Sequence, residues 1–65
     1  MYRIRHTSNG LYLHVGMGAD KSGGLKVELQ MSAELASAFP RAAAEHIGAA
    51  WIAITGDHAI EIEEA

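Results

Sequence analysis

The chain has no cysteine, so disulfide staples and thiolate metal sites are excluded. A reducing cytoplasm suits such a composition. No apolar run approaches the ~18 residues needed to cross a bilayer, which argues against a membrane role. The opening Met1-Tyr2-Arg3-Ile4-Arg5 lacks the apolar block of a signal peptide and reads as the start of a complete product. A basic excess, the usual footprint of a duplex-binding protein, is also missing: eight acids face five bases, a net charge of −3. Proline occurs once, at position 40.

Sixty-five residues make a single domain, expected over residues 1–65. A chain this short buries only about 60% of the surface that its unfolded form exposes, so its core is thin.

What is present is a switch in hydrophobic period. Residues 2–30 alternate like strands, residues 32–50 repeat like a helix, and residues 51–63 alternate again. Asn9-Gly10 is the favoured pair for a type I′ hairpin turn. That register opposes Ser8 to Leu11, His6 to Leu13 and Ile4 to Val15. Tyr2, Ile4, Leu11, Leu13 and Val15 then share one face, and Arg3, Arg5, Tyr12 and His14 the other. Gly16 to Gly24 reads as a glycine-rich mobile loop, followed by a strand from Leu25 to Gln30.

Ser32 is placed to cap a helix whose apolar stripe is Leu35, Phe39, Ala43 and Ile47. Pro40 should kink or break it, and Ser37 can cap a helix that carries Pro40 in its first turn. Gly48 is the expected stop. Trp51–Thr55 and the segment around Ile60 and Ile62 then form a second hairpin about Gly56-Asp57-His58. The expected fold is α+β, in the order βββαββ. It is an antiparallel sheet of four to five strands, with one helix, kinked or broken near Pro40, packed on one face.

Catalytic and cofactor motifs are weak. Gly16-Met17-Gly18-Ala19-Asp20-Lys21-Ser22 resembles a phosphate loop but puts Asp20 where glycine belongs, and a strand follows. His6, His14, His46 and His58 show no paired ligand spacing, so no metal site is expected. The serines have local explanations as turn and cap residues. No catalytic residue, cofactor or enzymatic activity is expected.

Two surfaces stand out. Asp57, Glu61, Glu63 and Glu64 crowd the end of the chain, and alternate residues on a strand lie ~6.6 Å apart. Such a row can imitate successive phosphates, or simply protect an edge strand. Arg3, Arg5, Tyr12 and Trp51 should share the free sheet face, and these residue types dominate interface energetics.

The hairpin Arg5-His6-Thr7-Ser8-Asn9-Gly10-Leu11-Tyr12-Leu13, the segment Ala38-Phe39-Pro40-Arg41-Ala42-Ala43-Ala44-Glu45, the whole-chain pattern and the acidic end resemble small anti-CRISPR proteins of phages and mobile elements. The likeness points to the type I-C inhibitor group. It implies a non-enzymatic, protein-binding inhibitor in the host-cell cytoplasm. The acidic end would act as a DNA mimic in the basic DNA-binding channel of a CRISPR surveillance complex. Two other classes are open. One is a single-stranded nucleic-acid module that stacks bases on Tyr12 and Trp51, against which the neighbouring acids argue. The other is a dimeric structural or regulatory module joined through a sheet edge.

Overall fold

The computed structural model describes residues 1–65 as an α+β fold with one helix on a four-stranded antiparallel sheet. The elements are β1 (Tyr2–His6), β2 (Tyr12–Ala19), β3 (Leu25–Ser32), α1 (Arg41–Thr55) and β4 (Ile60–Glu64). The sheet order is β3-β2-β1-β4, so β3 and β4 are its two edges.

The first hairpin keeps its expected faces but not its expected register. Arg5 pairs with Tyr12. His6 N–H bonds Leu11 O at 2.7 Å, and Gly10 N–H bonds His6 O at 3.0 Å. The turn therefore spans Thr7–Gly10. Only Gly10 takes a positive φ, +72°, which rules out type I′. Asn9 instead accepts the Leu11 N–H on its side-chain oxygen at 2.9 Å. The slip is by two residues, so every side chain stays on its face.

The first four residues of the glycine-rich stretch, 16–19, are strand rather than loop. Gly16, Met17, Gly18 and Ala19 pair with Glu28, Val27, Lys26 and Leu25. The loop proper is 20–24, organised by one Asp20 oxygen that accepts from Ser22 N–H, Ser22 Oγ and Gly24 N–H at 2.7–2.9 Å. The side chain thus fills the amide cradle that an anion would use.

Ser32 does accept N–H bonds from Glu34 and Leu35 at 3.2 and 3.0 Å, but only a turn follows. Ser37 caps nothing. Its N–H reaches Leu13 O at 3.2 Å, and its hydroxyl accepts from Val15 N–H at 2.9 Å. Phe39 exchanges both backbone bonds with Tyr2, at 2.7 and 2.8 Å. Residues 37–39 therefore form a wedge between β1 and β2, held to β2 by Ser37 and to β1 by Phe39.

The helix starts after the proline rather than kinking at it. Pro40 is the N-cap, with φ −58° and ψ 153°. Its ring needs no donor there, and its carbonyl accepts the first helical bond from Ala44 N–H at 2.9 Å. The alanine-rich run then propagates through Gly48 and Trp51 to Thr55. Gly56 ends it with φ +72° and an N–H bond to Ile52 O at 2.7 Å. The expected strand at Trp51–Thr55 is the last turn and more of α1, so the order is βββαβ and the second hairpin does not exist. In Trp-Ile-Ala-Ile-Thr, alternation and helical spacing are both satisfied, and the helix already running upstream decides.

α1 packs on β1 and β4. The core is small: Ile4, Leu13 and Ala44 are fully buried. Each large side chain so enclosed stabilises by about 1.5–3 kcal/mol. The sheet-facing stripe runs through Ala44 and Gly48, one residue round from the expected Ala43 and Ile47. Leu35 is exposed and takes no part in it. At Gly48 the helix faces the sheet: a Cβ there would stand 3.5 Å from Ile60 Cδ1 and 3.8 Å from Ile4 Cδ1.

Candidate functional site

Three places gather chemistry-bearing residues: the open sheet face, the His6 cluster, and a groove between α1 and β4. They come from different parts of the fold.

β1 and β4 pair Arg3 with Glu63 and Arg5 with Glu61, on the face away from α1. Arg3 Nε donates to Glu63 at 2.6 Å. Arg5 donates to Glu61 at 2.6 Å and to Glu63 at 3.2 Å. Arg3 also stacks over the Tyr12 ring at 4.8 Å. The hydrogen bond from Arg3, ahead of that from Arg5, holds the Glu63 carboxyl below its usual range. The bonds to Glu61 and then Glu63 raise the Arg5 guanidinium. Two cations against two anions leave this part of the face neutral.

The expected acidic row is therefore divided. Glu61 and Glu63 are engaged by arginines. Asp57 lies in the loop before β4 and is tied to His6. Glu64 is exposed at the end of β4. The alternative interface is divided too. Arg3, Arg5 and Tyr12 share the open face, but Trp51 belongs to α1, so Tyr12 and Trp51 form no common stacking platform. The indole nitrogen of Trp51 is buried without a hydrogen-bond partner.

The second place is a serine, a histidine and an aspartate in contact. His6 is 7% exposed. Its Nε2 lies 2.6 Å from Asp57 Oδ2, and its Nδ1 lies 3.0 Å from Ser8 Oγ. Ser8 N–H also donates to Nδ1, at 3.4 Å. A donor on Nδ1 leaves the ring proton on Nε2, which donates to Asp57. Asp57 is held below its usual range, first by the Ala59 N–H and then by His6. The residue types are those of nucleophilic catalysis, but no cavity opens onto Ser8. The groove described next is lined by other residues. The cluster fastens the first turn to the loop between α1 and β4.

The third place was not visible in the sequence. Gly48, Ala49 and Ile52 of α1, with Ile60 and Ile62 of β4, line a groove of about 360 Å³. Glu45 and Glu61 complete its lining. It opens beside β4, whose outer edge has no strand partner. Both rim acids stay more than half exposed, so their pairs with Arg41 and Arg5 are of the weak surface kind. Gly48 lies on the helix face that meets Ile60 and Ile4. The run of Ala42–Ala44, Ala49 and Ala50 before Gly56 was the signal that α1 extends this far.

Among the residues of the chain, no group of three or more His, Asp or Glu side chains is arranged to hold a metal ion. No helix is long and apolar enough to cross a membrane. Comparison with protein-family models, curated proteins and solved structures finds no match to this chain.

Proposed function

We propose that the chain is a non-enzymatic protein-binding inhibitor whose docking surface is the groove along β4. The observation that carries this reading is an apolar floor of Gly48, Ala49, Ile52, Ile60 and Ile62 lying beside an unpaired strand edge. An edge strand offers main-chain bonds to an extended segment, and the pockets beside it select side chains. Glu45 on the lining, with Glu64 further along β4 on the same face as Ile60 and Ile62, favours a segment that carries lysine or arginine between apolar residues. The occupant is thus a basic, extended segment of a partner protein.

A CRISPR surveillance complex, with its basic DNA-binding channel, is the partner class that the sequence resemblance suggests. Mimicry of a phosphate row is not the version favoured here, because Glu61 and Glu63 are already matched by Arg3 and Arg5. The direct test is DNA binding by a type I-C surveillance complex, titrated with the wild-type chain and with Ala49→Arg. That substitution places bulk and positive charge in the groove at an exposed helix position. Wild type should inhibit at stoichiometric concentration, and Ala49→Arg should lose at least tenfold in potency. Equal potency of the two would reject the groove. No inhibition by the wild type would reject this target.

A further inference from the structure

The opposite edge of the sheet carries a different kind of surface. β3 is eight residues long and exposed through most of its length. Nothing pairs with its outer side. α1 packs over β1 and β4, and the far half of the β2–β3 arm, around Met17 and Leu25–Glu28, is exposed. On the helix side of this arm, Met17, Leu25 and Val27 are 63%, 76% and 60% exposed. Met17 and Val27 are direct partners, so the three form one apolar surface beside a free edge. A long, exposed, apolar edge strand with no bulge or proline is a template for pairing with another strand.

The residue pattern of β3 says which strand. If an antiparallel partner is to continue the sheet, opposite residues must point to the same face. A second β3 can therefore meet the first only when the paired residue numbers have an even sum. With the two-fold axis through Val27, Val27 meets itself, Leu25 meets Leu29, and Lys26 meets Glu28 twice. The three apolar pairs, Leu25 with Leu29 twice and Val27 with Val27, fall on the apolar face and both ion pairs on the polar face. Moving the axis to Lys26 sets Lys26 against Lys26, and moving it to Glu28 sets Glu28 against Glu28. Like charges directly opposite are destabilising. Lys26 and Glu28 stand 3.7 Å apart within one chain, with half-exposed side chains free to cross to a neighbour.

We infer that the chain forms a two-fold homodimer through antiparallel pairing of β3 with β3 of a second copy, centred on Val27. The product is one continuous sheet of twice the four strands, with β4 at both outer edges. Leu25 and Leu29 of opposite copies cover one another, and the two Val27 side chains meet on the axis. Both grooves along β4 remain open, so this inference is independent of the function proposed above.

The test uses charge exchange. The wild-type chain should sediment as a dimer at about 100 μM. Lys26→Glu and Glu28→Lys should each weaken the dimer at least tenfold, because each sets like charges opposite in the Val27 register. Mixing the two variants should restore it as a heterodimer, in which unlike charges meet again. Because the chain has no cysteine, Val27→Cys gives a second reading. Mild oxidation should link two copies through that residue, and Leu29→Cys should link far less. A monomeric wild type overturns the inference. So do single variants that dimerise as well as wild type, or a mixture that stays monomeric. Preferential cross-linking at Leu29→Cys overturns the register.

Discussion

His6 Nε2 meets Asp57 Oδ2 at 2.6 Å across fifty-one positions of chain. The contact joins the end of the first strand to the loop that launches the last. Asp57 also accepts the Ala59 N–H at 2.9 Å, which shapes that loop. Asp57→Ala should therefore lower the thermal midpoint, since it leaves the enclosed Nε2–H without its acceptor. Ser8→Ala should have a smaller effect, because the Ser8 main-chain N–H still reaches Nδ1. A serine-directed fluorophosphonate should leave Ser8 unmodified. Stoichiometric labelling at Ser8, abolished by His6→Ala, would reassign the cluster to hydrolysis.

Stability should fall on acidification. Glu63 is held below its ordinary 4.5, chiefly by Arg3. Asp57 is held below 3.8, chiefly by the Ala59 N–H, and Asp20 below 3.8, chiefly by Ser22. A carboxyl depressed in the fold contributes stability that is complete above its unfolded value. That contribution is lost as pH falls through the folded one. Urea midpoints should be flat above about pH 5 and decline below about pH 4. Glu63→Gln should lower the neutral-pH midpoint and flatten part of the decline. An acid limb identical to wild type would show that the Arg3 pair contributes nothing.

Gly48 gives a prediction in two directions. A Cβ there meets Ile60 and Ile4 at ordinary contact distance. Alanine is the better helix former by about 0.8–1.0 kcal/mol. Gly48→Ala should stabilise by up to that amount in chemical denaturation. Gly48→Leu must push the helix off β4 and should cost about 1–3 kcal/mol. Loss of stability in the alanine variant would mean that the helix lies closer than these distances.

Gly10 tests the turn. Its φ of +72° is one that a β-branched residue resists, and no atom stands where its Cβ would be. Gly10→Val should lose about 1–2 kcal/mol from backbone conformation alone. Asn9→Ala removes only the acceptor for Leu11 N–H and should lose less. An unchanged melt for Gly10→Val would contradict the left-handed conformation.

The faces of the first hairpin were legible because alternation survives any slip by two residues. The register was not, because it turns on whether Asn9 adopts positive φ or spends its side chain on Leu11, and both suit asparagine. The helix was legible from Ala42 to Ile47 and lost at Gly48. A lone glycine reads as a stop until the helix is known to run on through it. The outward direction of Glu61 and Glu63 followed from Ile60 and Ile62 on either side. Their neutralisation by Arg3 and Arg5 did not, since it depends on β4 choosing β1 as its partner. The groove shared both obscurities. It needs α1 to continue past Gly48 and β4 to lie beside β1.

The wedge of residues 37–39 has a consequence for the order of events during synthesis. β1 leaves the ribosome before the other strands, yet its hydrogen bonds depend on Leu11, Tyr12 and Phe39 along one side and on Ile60–Glu64 along the other. The β2–β3 arm is local and can close as soon as it is made, whereas pairing of distant segments is slow. The first strand translated thus stays incomplete until the last emerges. A nascent chain stalled before β4 should expose Ile4 to protease while β2 and β3 are already paired.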